Sequence, residues 1–241
     1  IAGTVERQAD GTFAVRETRG GEERLWTLAE LDGAIAFTRQ TVVTVNPIVK
    51  HMTNLEGSAA AFANGPQATK AFVRRTVDRM LQAVNVFALD ASELPLALGT
   101  ASRGAQALHQ SLSETLISLG LVKNVVPGVE RASTAVAVAM ERMADPRVQQ
   151  ALRGVGVSVT DSQNRFRSFL DILGDLAPQL DRMSEAQRSA FLLSTFGREA
   201  LGGVNAILTQ VTNGVRTNSG ETLRGAAAIA YLRDQIENAG G

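Results

Sequence analysis

Cysteine is absent from this chain, so neither a disulfide framework nor thiolate chemistry is open to it. Aromatic residues are scarce, at 5%, with one Trp and one Tyr. A core must therefore be built mainly of Ala, Leu and Val, which suits closely packed helices better than a sandwich or barrel. Proline is rare, six in 241 residues, and leaves room for long helices that the 22 glycines punctuate. Histidine occurs twice, at His51 and His109. With no cysteine, a zinc site would need both histidines plus carboxylates. Neither has a His, Asp or Glu at i+3 or i+4, and Glu56 lies five residues beyond His51. Both read as polar surface or cap residues. Net charge is zero, 24 acidic against 24 basic side chains, so nothing in the balance calls for nucleic acid or a membrane surface. The start, IAGTVERQAD, lacks a basic-then-apolar signal pattern. The most apolar run, Ala132 to Met140 (ASTAVAVAM), is far short of the roughly 20 residues that cross a bilayer. The first residue is Ile rather than Met, and the chain reads as a segment of a longer protein.

What is present is helical periodicity with clear punctuation, and the fold class it predicts is mainly α. Residues 1–26 stand apart as a small β-arm: Thr4–Gln8 and Thr12–Thr18 flank Ala9-Asp10-Gly11, and Asp-Gly between strand-like runs is a hairpin signal. From Leu25 the apolar positions 25, 28, 31 and 35 fall near helical spacing and predict a helix toward Val45. Pro47 marks a restart, with a helix over Ile48–Asn64 broken at Gly65-Pro66. Gln67–Ala88 is an amphipathic helix: Phe72, Val73, Thr76, Met80, Ala83, Val84 and Phe87 form one face and Arg74, Arg75, Asp78 and Arg79 the other. Asp90-Ala-Ser-Glu93 opens the next segment. Ser111-Leu-Ser-Glu114 has the spacing of a capping box, for a helix expected to stop at Gly120. Val129–Ala144 follows, then Asp145-Pro146 as cap and first turn of a short helix ending at Gly154. Alternating VGVSV (155–159), a polar turn and Phe166 predict a short β-hairpin-like insertion near 155–166. Phe169–Leu180 is helical, and Ser184-Glu-Ala-Gln187 is a second capping box, starting a helix through Phe196 that loosens at Gly197 and resumes over Leu201–Val211. A Gly/Asn-rich stretch, 213–220, separates a last helix over Glu221–Glu237. The domain reading is thus 1–26 as β-arm, 27–212 as helical core and 213–241 as linker and helix.

Each constellation that might carry chemistry has a plainer reading. Asp171 and Asp175 share a helix face at i, i+4, and Glu22 and Glu23 are adjacent; paired carboxylates could hydrolyse glycosides. A solvated, anion-favouring helix start is the preferred reading of Asp171 and Asp175. Gly154-Val-Gly156 follows a helix rather than a strand, so it lacks the setting of a dinucleotide loop. Gly202-Gly203 reads as a kink or a close helix contact. Arg74, Arg75 and Arg79 cluster, but Asp78 sits among them and few aromatics are near, a poor nucleic-acid stripe. No G-x-S-x-G elbow and no phosphate loop occurs. The Ala/Val run at 132–140 is either ordinary core or a face for another helix or subunit. These residues give no catalytic, cofactor-binding or metal site.

One stretch carries a family likeness. Gly156-Val-Ser-Val159, Thr160-Asp161, Phe166, Leu170-Asp-Ile-Leu173, Leu176, Met183-Ser-Glu-Ala-Gln187 and Phe196-Gly197, with FALDASE at 87–93 upstream, resemble the core region of phage tail tape-measure proteins. The resemblance covers about residues 75–215. It implies a structural, non-enzymatic protein that occupies the tail lumen, sets tail length, aids tube assembly and takes part in genome ejection. It further implies tail-tube, tail-tip and assembly-chaperone partners, self-association, no specific nucleic acid, no membrane contact in this segment and no cofactor. The protein would be made in the host cytoplasm and reside in the virion tail lumen. A helical interaction module unrelated to phage, or a tail-associated peptidoglycan-degrading module, are the alternatives.

Overall fold

The computed structural model describes residues 4–7, 13–19, 22–27 and 66–238, with side chains described for Phe72 and from Arg74 onward. The chain divides into two compact units, Ile1–Asn46 and Pro47–Gly241. The helices expected at 28–45 and over Ile48–Asn64, and His51 with them, lie outside the described residues.

The first unit contains an antiparallel sheet in the order β1 (Thr4–Arg7), β2 (Phe13–Arg19), β3 (Glu22–Thr27). The first two strands are those expected. The third corrects the sequence reading, which began a helix at Leu25. Leu25, Trp26 and Thr27 instead pair with Arg16, Val15 and Ala14. Arg19 faces Glu22, leaving only Gly20-Gly21 between paired positions, the composition a two-residue hairpin connection prefers. Strand pairing there overrides a short stretch of helical spacing.

The second unit is mainly α. In order it contains α1 (Pro66–Phe87), α2 (Leu94–Ala107), α3 (Leu112–Lys123), α4 (Val129–Ala144), α5 (Pro146–Gly154), α6 (Phe169–Leu180), α7 (Glu185–Asn213) and α8 (Gly225–Glu237). Local chemistry explains most boundaries. Pro66 opens α1, where its missing N–H costs nothing. The Ser111 and Asp145 side chains accept from the backbone N–H groups of Glu114 and Arg147 and so start α3 and α5. Ser184 and Gln187 form the full reciprocal box that starts α7. Gly197 interrupts α7 with φ 74° and ψ 173°, a conformation essentially restricted to glycine, and makes a kink where the sequence suggested loosening.

Two helices occupy the centre. α4 packs against α2 on one side and α7 on the other. Ala132, Ser133, Ala135, Val136, Ala137, Ala139 and Met140 are buried, which decides the two readings of the 132–140 run in favour of core. Its small residues permit very close approach. A Cβ at Gly104 of α2 would fall 2.3 Å from the Ala137 carbonyl oxygen, and one at Gly203 of α7 would fall 2.8 Å from the Ala135 Cβ. Of the Gly202-Gly203 pair, then, Gly203 makes a close contact, and the kink lies at Gly197.

α3 is the second central helix, buried from Leu112 through Val122 on every side. It does not stop at Gly120 as expected but continues to Lys123. Gly120 is instead the point where α3 meets α1: a Cβ there would fall 2.2 Å from the Phe87 ring. The glycine expected to end a helix lets two helices touch.

Between α5 and α6 the chain forms the expected hairpin-like insertion, closed by a single antiparallel bridge, Thr160 to Phe166. Val157 and Val159 point into the core. The stretch 213–220 differs from expectation, because part of it enters a small antiparallel pair, β4 (Val215–Arg216) with β5 (Thr222–Leu223). That pairing takes Thr222 and Leu223 from the last helix, which begins at Gly225 rather than Glu221.

Candidate functional site

The densest polar constellation among the described residues lies where α3, α6 and α8 meet. α3 carries Glu114 in its first turn. The capping-box reading of Ser111 and Glu114 is half right: Ser111 accepts from the Glu114 N–H, but the Glu114 carboxylate turns away into the protein. Glu114 is 6% exposed. Its Oε2 accepts from the Ser168 hydroxyl at 2.8 Å and from the Leu170 N–H at 3.4 Å. Its Oε1 accepts from Arg233 Nε of α8. Arg233 reaches on to the Ser168 hydroxyl and, at 2.9 Å, to Asp171. Burial by itself would lower the Arg233 pKa; the hydrogen bond and charge of Glu114, then those of Asp171, outweigh it and raise it above its ordinary value. A raised folded-state pKa contributes stability below the group's unfolded value, so Arg233 keeps this contribution at any working pH.

Ser168 sits at the hub as the cap of α6, accepting from the Asp171 N–H. A hydroxyl has one proton and two acceptor sites. Here the proton goes to Glu114 while Asp171 N–H and Arg233 fill the acceptor sites. No lone pair is left to attack a substrate, and the arrangement serves to hold three helices together. Beside it, Gln110 is 6% exposed, donates to the carbonyls of Leu108 and Arg167, and accepts from the Phe169 N–H at 2.7 Å.

The candidates singled out from sequence are placed as follows. Asp171 and Asp175 are not a paired acid: Asp171 joins Arg233, while Asp175 pairs with Arg167 at 2.7 Å. Each carboxylate on that face faces its own guanidinium. Glu22 and Glu23 lie in β3, opposite Arg19 and Thr18 in register. His109 is exposed, adopts φ 52° and stacks on Phe166, with ring centroids 5.8 Å apart. Next to it Asp161 accepts from the backbone N–H groups of Arg165 and Gln163. Those bonds, the Arg165 N–H first, hold its carboxyl below the usual range. Arg74 and Asp78 stand 3.9 Å apart, whereas the Arg79 Nε is buried with no hydrogen-bond partner among the described residues. Among the described residues no three His, Asp or Glu side chains gather as a metal would need, and no helix is long and apolar enough to cross a membrane.

The pairing of Glu114 with Arg233 leaves no trace in the sequence because 119 positions separate them. Ser168 did leave a signal. Ser168-Phe-Leu-Asp171 ahead of an apolar run has the same S-x-x-[D/E] pattern as Ser111-Leu-Ser-Glu114.

Comparison with known families supplies what this geometry cannot. Residues 31–197, more than half of the chain, match the phage-related minor tail protein family. The chain belongs to that family. No curated protein and no solved structure matches it. The match begins earlier than the resemblance read from sequence and ends sooner, at the Gly197 kink. This minor tail protein therefore carries Glu114, Ser168 and Asp171 within the family region and Arg233 beyond it. Membership makes it a phage tail protein with a structural role.

Proposed function

We propose that this chain is a segment of a tail tape-measure protein. In this role it lies in the tail lumen, sets tail length, helps the tube assemble around it and takes part in genome ejection. Its partners are tail-tube, tail-tip and assembly-chaperone proteins, and it joins them in the host cytoplasm during assembly. The observation that carries the reading is the minor tail family match over 31–197, which contains the 156–197 landmarks of the tape-measure resemblance. Those landmarks are packing features: the buried Val157 and Val159, the Ser168 cap, the apolar face of α6, the Ser184 box and the Gly197 kink. They define a structural unit rather than a reactive centre, and the role proposed is structural, not catalytic.

A ruler needs length. A helix rises about 1.5 Å per residue, so this chain drawn out as one helix would span about 360 Å, and folded as here far less. The proposal accordingly treats it as one packed segment of a longer ruler. Deleting its gene from the phage or prophage is expected to abolish tails or change their length in electron micrographs. Tails of normal number and length would refute the proposal. A peptidoglycan zymogram of the purified chain is expected to stay uncleared, and a cleared band would overturn the non-catalytic assignment.

A further inference from the structure

A cleft of about 370 Å³ opens between the C-terminal ends of α1, α3 and α7, strand β4 and α8. Five carboxamide-bearing residues from separate places in the chain line it: Asn85, Asn124, Gln210, Asn218 and Gln235. The carboxamides of Asn85, Asn124, Asn218 and Gln235 make no hydrogen bond among the described residues. Gln210 uses its NH₂ group on the Leu121 and Ala206 carbonyls, which leaves its oxygen open. Tyr231 accepts from the Asn218 N–H at 3.1 Å and keeps its own proton to donate. Val86 and Val215, both half-buried, give the cleft an apolar part. Among the described residues no carboxylate lines it, and the one cation in its lining, Arg216, has no ion pair.

The chemistry of these groups defines an occupant. A carboxamide presents donors and an acceptor in one plane, the complement of a peptide amide. A helix would not use them, because its backbone groups already bond to each other and its diameter is about 10 Å. An extended strand offers unpaired N–H and C=O groups along its length. The volume lies near the small end of the range for binding pockets, about 300–1,000 Å³, and suits a few residues. Arg216, unopposed by any acid in the lining, adds a preference for negative charge. We propose that this cleft binds a short extended segment of a partner protein, read through its main-chain amides, with an acidic side chain at Arg216. The inference stands apart from the tape-measure reading, since it needs only the cleft.

Side-chain amide resonances in ¹H–¹⁵N NMR spectra of the full chain test it directly. The probes are two capped tripeptides, acetyl-Ala-Asp-Ala-N-methylamide and its Ala-Asn-Ala counterpart, with chitobiose as a third arm. Both peptides are expected to shift the Asn85, Asn218 and Gln235 carboxamides saturably. At low salt the Asp peptide should bind about threefold tighter, the size of an exposed ion pair. Arg216→Gln should remove that preference without changing the Asn peptide. Gln235→Leu, or the exposed Asn218→Ala should the first not fold, is expected to weaken both peptides about fivefold, as loss of one hydrogen bond does. Absence of saturable shifts with either peptide would overturn the proposal. So would binding indifferent to Gln235→Leu and Asn218→Ala, or saturable shifts with chitobiose alone.

Discussion

Gly104→Ala is expected to destabilise the helical unit by about 3 kcal/mol, the upper part of the range for overpacking a closed core. The reason lies in what the new methyl would meet. It would fall 2.3 Å from the Ala137 carbonyl oxygen and 2.7 Å from the Ala137 Cα, so its neighbours are backbone atoms that no rotamer change can move. Only separation of α2 from α4 makes room, and separation opens gaps along Ala101, Ala105, Val136 and Met140, all essentially buried. For a unit of this size each kcal/mol lowers Tm by about 2–4 °C, so thermal melting should show a fall of roughly 6–12 °C. Gly202→Ala supplies the internal control. Gly202 lies in α7, where an added Cβ meets nothing within 4 Å. That variant should gain about 0.5–1 kcal/mol, because alanine loses less backbone entropy than glycine in a helix. Equal effects at the two positions would contradict the close α2–α4 contact.

Arg233→Met should cost about 3 kcal/mol, the lower part of the range for breaking a buried ion pair by removing one partner. The loss falls on Glu114, whose side chain is 7% exposed and keeps only the Ser168 hydroxyl and the Leu170 N–H. Arg233 itself is 26% exposed, so the converse change, Glu114→Gln, should cost less: water and Asp171 can still serve the guanidinium. The double variant Glu114→Gln with Arg233→Met should recover a large part of the single Arg233→Met loss, because no charge is then left buried without a partner. Urea unfolding of the four proteins measures this. Strict additivity of the two single changes would mean that the cluster does not pin α8 to α3 and α6.

How far the sequence discloses this fold depends on the range of the interaction that decides each element. The caps at Asp145 and Ser184, and the apolar face of α6, rest on neighbours three or four residues apart and are legible from spacing alone. Gly120 is ambiguous in the sequence because a glycine in a helical pattern signals either a stop or a close contact, and only the Phe87 ring decides between them. α3 offers no stripe to read, since a helix buried on every side has no polar face. Leu25–Thr27 carried helical spacing but found strand partners. The polar cluster was the least legible feature, because its parts come from three helices far apart in the chain. Its Ser168 hub alone had a local signature. The phage-tail character, by contrast, is legible: the ordered landmarks between Gly156 and Gly197 fall inside the matched minor tail region. Turns, caps and apolar steps recur wherever the same packing unit recurs, even where no reactive residue marks it.

The most direct test of the tape-measure reading is tail length against chain length. In-frame deletions of graded size in the gene encoding this chain, placed outside the packed residues 66–238, should shorten tails in proportion, by up to about 1.5 Å for each residue removed if that part is helical in the tail. Electron micrographs give the length distribution for each deletion. A straight-line dependence is the predicted result, and tails of unchanged length at every deletion size would contradict it.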